Sequence, residues 1–258
     1  MSFNEIEYER TGSTAWVTLN RPERRNALSL AMLEELTRCF RDLGADAEVR
    51  VAILRAKGPA FSAGHDIGEM VGCSGAFHRR LFEACTALME TIQGIPQPVI
   101  AQVHGIATAA GCQLVASCDL AIAAEEARFA TPGVKIGLFC STPMVALSRA
   151  VGARRAMEML LTGEAISAHE AQAAGLVNRV VPATELEASA KAMAAKIVAF
   201  SPEVVALGKA AFYRQLQMPQ PLAYDYAQDV MSMNAAAPDA QEGMKAFLEK
   251  RPPKWRGR

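Results

Sequence analysis

Two short segments rich in glycine and alanine constrain this chain more than any other feature: Phe61-Ser62-Ala63-Gly64-His65-Asp66-Ile67 and Gly105-Ile106-Ala107-Thr108-Ala109-Ala110-Gly111-Cys112-Gln113. Each reads as a turn leading from a strand into a helix. The first N–H groups of such a helix have no partner within it. Small residues there let another backbone or a carbonyl group approach closely. Two such turns aimed at one point supply an oxyanion hole, a set of backbone donors for an oxygen that gains negative charge.

The pattern around the turns is that of an α/β core. Ala15, Val17 and Leu19 alternate with Trp16, Thr18 and Asn20, which predicts a half-buried strand. Ser29 is placed to cap a helix carrying Leu30, Leu33, Leu36, Phe40 and Leu43. Residues 51–54 form a short apolar strand, residues 77–93 an amphipathic helix closed by Gly94 and Pro96, and residues 99–103 a buried strand entering the second turn. Strand and helix alternate to about Val181, and from Glu185 the pattern is helical only. The division predicted is a core over residues 1–200 and a helical subdomain over 201–258.

Composition narrows the function classes. The chain has 258 residues, enough for one substantial core, and a formal net charge of zero, which favours no nucleic-acid partner. The most apolar stretch, residues 99–124, is interrupted by His104, Gln113 and Asp119, so no membrane span is expected. The opening Met1-Ser2-Phe3-Asn4-Glu5 has neither the form of a secretory signal nor the Arg-rich character of a transit peptide. Six cysteines without C-x-x-C spacing read as reduced thiols, giving a cytoplasmic expectation and no metal site. The chain lacks a G-x-S-x-G elbow, a phosphate-binding loop with lysine and a dinucleotide fingerprint.

In order and spacing the two turns resemble the thioester-binding loops of the enoyl-CoA hydratase/isomerase (crotonase) superfamily. Leu19-Asn20-Arg21-Pro22, Asn26-Ala27-Leu28, Arg149-Ala150-Val151-Gly152, Leu161-Thr162-Gly163, Ala174-Gly175-Leu176-Val177 and the ending 242–251 are further landmarks, so the likeness covers nearly the whole chain. One subgroup shares Ala109-Ala110-Gly111-Cys112-Gln113-Leu114, Thr131-Pro132-Gly133-Val134 and Gly137-Leu138-Phe139-Cys140-Ser141-Thr142-Pro143. The resemblance implies a crotonase fold of repeated ββα units with C-terminal helices that pack between subunits, in homotrimers or homohexamers. It implies an acyl-CoA ligand and no permanently bound cofactor. The amides of His65 and Ala110 would hold the thioester oxygen, Gly111 would open a helix with its positive end toward that oxygen, and Ala63, Asp66 and Ile67 would line the CoA path. Basic residues of the C-terminal tail (Lys250, Arg251, Lys254, Arg256, Arg258) would be a solvated end or help hold CoA phosphates.

The chain departs from the hydratases at the reacting carbons. They use two glutamates to position water and shuttle its proton. The resemblance implies that Gln113 and Gly133 stand at those positions. Gln113 can hold a water but cannot take a proton at neutral pH, and Gly133 has no side chain. By the same resemblance Cys140 would face those carbons, either as a thiolate base or nucleophile or as a small buried apolar residue. The His65 side chain could reach an acyl group. Asp66 is a candidate acid, but Asp66-Ile67-Gly68-Glu69 also fits a capping box, and Ser141 either orients water or caps the helix near Thr142. The expectation is an acyl-CoA enzyme that activates the thioester as an enolate, in fatty-acid or related metabolism. The alternatives are a non-catalytic acyl-CoA-binding protein, or isomerisation or thioester hydrolysis.

Overall fold

A computed structural model describes residues 3–256. The chain runs β1 (Ile6–Thr11), β2 (Thr14–Leu19), α1 (Leu30–Ala45), β3 (Val51–Ala56), α2 (Ile67–Met70), α3 (Gly75–Gly94), β4 (Val99–Val103), β5 (Ile106–Thr108) and α4 (Ala110–Ser117). It continues through β6 (Leu120–Ala124), β7 (Arg128–Ala130), α5 (Pro143–Val151), α6 (Ala153–Thr162), β8 (Ile166–Ser167), α7 (Ala168–Ala174) and β9 (Arg179–Val181). Four helices close it: α8 (Leu186–Val198), α9 (Pro202–Gln215), α10 (Gln220–Ala236) and α11 (Pro238–Leu248). A six-stranded sheet has the order β1-β2-β3-β4-β6-β9, parallel except for the antiparallel β1–β2 pair. A second, three-stranded sheet joins β5, β7 and β8.

The predicted half-buried character of β2 is corrected: Trp16 and Thr18 are buried as fully as Val17 and Leu19. Parallel sheets are covered on both faces. Val17, Leu19, Ala52 and Leu54 pack in the core that includes Leu33, Leu36 and Phe40 of α1 and Leu81 and Leu88 of α3. Trp16, Ile53, Ile100 and Ile122 pack with Leu186, Ala190 and Met193 of α8. The second small-residue segment also differs from expectation, since it holds the strand β5 before its helix.

Helix α1 starts where Ser29 caps it: the Ser29 hydroxyl accepts the Met32 N–H at 3.0 Å and donates to the Glu5 carboxylate. Ser29→Ala is expected to destabilise the protein by about 1 kcal/mol, read as a lower thermal midpoint. Helix α9 is tied to the core by a buried cluster. The Lys209 ammonium donates to the carbonyls of Ile92 (2.8 Å) and Gln97 (2.9 Å) and pairs with Asp119 at 2.8 Å. Asp119 also accepts from the Tyr213 hydroxyl (2.9 Å) and the Val99 N–H (2.6 Å). These contacts occupy Asp119 structurally. Elsewhere α9 and α10 lie open: Phe212, Leu222, Met231 and Met233 stand exposed on them, and Leu216 is exposed just past the end of α9.

Candidate active site

The site forms where the two small-residue segments are zipped together. The Ser62 N–H donates to the Ile106 carbonyl (3.1 Å) and the Thr108 N–H donates back to the Ser62 carbonyl (2.9 Å). On the other side, the Leu28 N–H donates to the Gly64 carbonyl (2.7 Å) and the Asp66 N–H to the Leu28 carbonyl (3.3 Å). Asn26 anchors this edge from a left-handed conformation (φ 51°). Its side-chain amide donates to the carbonyls of Lys57 and Ala60, each at 2.8 Å, and its carbonyl accepts the Arg21 N–H at 2.9 Å. The Asn-Arg-Pro and Asn-Ala-Leu landmarks therefore brace the first loop.

Glycine is required where the segments touch. Gly64 has φ +89°, and a Cβ there would lie 2.9 Å from both Ala109 Cβ and the Thr108 carbonyl oxygen, and 3.3 Å from the Ala110 nitrogen. A Cβ on Gly111 would meet the Ser62 carbonyl oxygen at 2.5 Å. Ala109, which precedes the helix, is held at φ 49°, ψ −117°, a conformation that L-residues avoid and that persists mainly at functional sites. Among the described residues neither the His65 nor the Ala110 amide donates a hydrogen bond.

Both residues border one cavity of about 340 Å³, together with Ala63, Ile67, Met70, Phe82, Ala109, Pro132, Gly133, Lys135, Ile136, Leu138, Phe139, Cys140, Ser141, Thr142 and Pro143. The structure thus brings together Ala63, His65, Ile67, Ala110, Gly133 and Cys140 of the sequence candidates. Asp66, Gly111 and Gln113 do not line the cavity. The Asp66 carboxylate accepts the Gly68 N–H (3.0 Å) and pairs with the Arg21 guanidinium (3.0 Å). Gly111 faces Ser62. Gln113 is buried, with its Oε1 accepting from the Cys85 thiol at 3.8 Å. Sequence reasoning missed Phe82, Met70, Leu138 and Phe139, whose apolar side chains carry no local mark of a site.

Two capping expectations are corrected. Asp66 caps α2, but Glu69 does not reciprocate: its carboxylate accepts the Leu30 N–H at 3.0 Å, at the start of α1. Ser141 caps nothing; its hydroxyl donates to the Phe139 carbonyl at 3.4 Å, and Thr142 precedes α5 without a side-chain cap. In the basic tail, Arg251 pairs with Glu242 and Glu249, while Arg258 lies outside the described residues.

The site is electrostatically quiet. Burial pushes the Cys140 thiol up, against a smaller opposing effect of the Gly133 backbone, which favours its reading as a small neutral residue over a thiolate. Burial beside Phe82 (ring centroids 5.4 Å apart) lowers the His65 pKa from 6.5 to about 4, while proximity to the Leu28 backbone opposes this weakly. The folded state therefore binds fewer protons than the unfolded chain between those values. This stability is fully present above about pH 6.5 and is lost as pH falls toward 4. A contribution of about 3 kcal/mol is expected to disappear across that window. Denaturant titrations at about pH 7 and about pH 4.5 check it: His65→Phe should flatten the difference.

No group of three or more His, Cys, Asp or Glu side chains could hold a metal ion among the described residues, and no helix among them is long and apolar enough to cross a membrane.

The sequence profile of the enoyl-CoA hydratase/isomerase family matches residues 9–258, and the chain belongs to that family. Within it, the chain is similar to the proteins named enoyl-CoA hydratase domain-containing protein 3, mitochondrial. The Rattus norvegicus protein is 50% identical over 93% of this chain and 80% of its own length. The crystal structure of the human protein superposes with a TM-score of 0.95 at 47% identity, covering 98% of this chain and 100% of that one. A crystal structure of an enoyl-CoA hydratase from Mycobacterium smegmatis gives a TM-score of 0.96 at 52% identity, covering 98% and 99%. The crotonase fold expected from the sequence is the fold observed. The cytoplasmic expectation is corrected, because the vertebrate relatives at 48–50% identity are named as mitochondrial proteins. Cysteine usage reports reducing conditions and does not resolve one reducing compartment from another.

Proposed function

We propose that this protein binds acyl-CoA thioesters in the cavity and polarises the thioester carbonyl between the amides of His65 and Ala110, easing enolate formation at the α-carbon. The observation that carries the reading is the pair of unengaged amides bordering one apolar cavity. Each well-placed donor to such an oxygen is worth roughly 10²–10³ in rate. Ala63 and Ile67 would line the ligand's path, Asp66 and Gly111 would hold the two loops in place, and Gln113 would tie α4 to Cys85 of α3. Exposed apolar side chains on α9 and α10 fit a subdomain over residues 201–258 that joins subunits into a homotrimer or homohexamer.

The two-glutamate hydration mechanism is not part of this proposal. No carboxylate lines the cavity among the described residues, and a Cβ at Gly133 would lie 2.0 Å from the Leu138 carbonyl oxygen. The same observation favours a second reading, an acyl-CoA-binding protein without turnover, because the lining offers His65, Lys135 and Cys140 as its titratable groups and no evident charged base.

Incubating crotonyl-CoA and a saturated acyl-CoA separately with the protein in deuterated water separates the readings. Enzyme-dependent α-deuterium without added water is the result expected for enolate chemistry. Binding with neither exchange nor hydration moves the second reading ahead. Hydration at a catalytic rate would show that another group replaces the glutamates.

A further inference from the structure

One polar side chain in the cavity wall makes no hydrogen bond, although the Leu28 backbone lies near its ring. The His65 ring lies edge-on to Phe82, and its Nδ1 and Nε2 are both buried without a hydrogen bond among the described residues. Among the described residues it is the only lining side chain with buried nitrogen or oxygen atoms in that condition. Buried polar groups are nearly always paired, so an exception calls for a partner, such as an incoming ligand. A neutral imidazole offers one donor and one acceptor. A half-turn of the ring about Cβ–Cγ exchanges each nitrogen with a ring carbon and leaves the ring's shape almost unchanged. The two nitrogens can therefore take up the carbons' positions without repacking the wall.

We propose that His65 reads the acyl group, its imidazole hydrogen-bonding an oxygen substituent, a hydroxyl above all, on the first carbons beyond the thioester carbonyl. The inference rests on the acyl-CoA reading above. In that reading the amide of His65 itself holds the thioester oxygen, so its ring is tethered beside the nearest acyl carbons. A hydroxyl both gives and accepts a hydrogen bond and matches the neutral ring at both ends. The apolar neighbours Ile67, Met70, Phe82, Leu138 and Phe139 would receive any hydrocarbon chain and cannot tell a hydroxylated acyl group from a plain one.

Calorimetric dissociation constants of 3-hydroxybutyryl-CoA and butyryl-CoA on the full chain test this through their ratio. The wild-type protein is expected to prefer the hydroxylated thioester by roughly tenfold or more. The ratio should fall to about one or below in His65→Phe, and His65→Gln, which keeps a donor and an acceptor, should retain part of it. Equal affinities in the wild type, or an undiminished ratio in His65→Phe, would overturn the proposal. If neither thioester binds the wild type, the acyl-CoA reading fails and this inference falls with it. Should His65→Phe not fold, imidazole ¹⁵N shifts of the wild type decide. They should move with the hydroxylated thioester and stay put with the plain one, and equal movement with both counts against His65 as the reader.

Discussion

Gly64→Ala is expected to lower α-deuterium exchange by roughly 10²–10³, or, should the protein prove a binder, to lower thioester affinity by up to roughly tenfold. The backbone at Gly64 has φ +89°, where an L-side chain is strained by about 1–3 kcal/mol. The new methyl would also press on Ala109 Cβ and the Thr108 oxygen, each 2.9 Å away, with the Ala110 nitrogen 3.3 Å away. None of these contacts is the end of a flexible side chain. The loops can only part, and parting them separates the His65 amide from the Ala110 amide. Ala109→Gly in the same chain removes one contact and frees Ala109 from its own strained backbone (φ 49°). The double variant should therefore recover part of the loss. Circular dichroism and the thermal midpoint distinguish a displaced loop from an unfolded one. A folded Gly64→Ala protein with wild-type exchange and affinity would mean that the two amides do not act as a pair.

How much of this was legible in the sequence depends on the range of each interaction. Helices α1 and α3 carry long apolar stripes and side-chain caps from Ser29 and Ser74, and their periodicity predicted them within about two residues. Strand β5 escaped notice because Ile106-Ala107-Thr108 is three residues long and lies among small residues. Its reality depends on pairing with β7 and on the bridge from Ala107 to Ser62. The face of β2 that carries Trp16 looked solvent-exposed because its cover, α8, comes some 170 residues later.

The same reasoning explains the site. The turns themselves were visible as composition. Which residues face the cavity was not, because Asp66 is drawn aside by Arg21, Glu69 is drawn to the start of α1, and Gln113 on α4 turns to Cys85 of α3. Each of those partners, Cys85 on α3 among them, is distant in sequence, and none is implied by the motif that contains the residue.

Placing a glutamate at Gly133, where the resemblance to the hydratases implies their second one, tests whether the bare position is an accident of sequence or a property of the loop. Gly133→Glu is expected to destabilise the protein by more than about 4 kcal/mol, giving little soluble protein and no sharp thermal transition. Gly133 does not lie in the left-handed region, so conformation is not the obstacle. The obstacle is space: a Cβ would overlap the Leu138 carbonyl oxygen at 2.0 Å and sit 2.8 Å from Cys140 Sγ. The Leu138 N–H donates to the Gly133 carbonyl at 2.9 Å, so these two backbones are bonded to each other and cannot separate without opening the loop over residues 133–140. Even Gly133→Ala should be strongly destabilising, since the first added carbon makes the overlap. Gln113→Glu should fold, with its buried carboxyl protonated more readily than one in water, and should not hydrate crotonyl-CoA, because Gln113 points to Cys85 and not into the cavity. A well-folded Gly133→Glu protein that hydrates crotonyl-CoA would show that the loop has a second arrangement open to the two-glutamate reaction. Failure of Gly133→Ala and Gly133→Glu alike would instead show that this loop is built around a bare backbone, with no room for a side chain at residue 133.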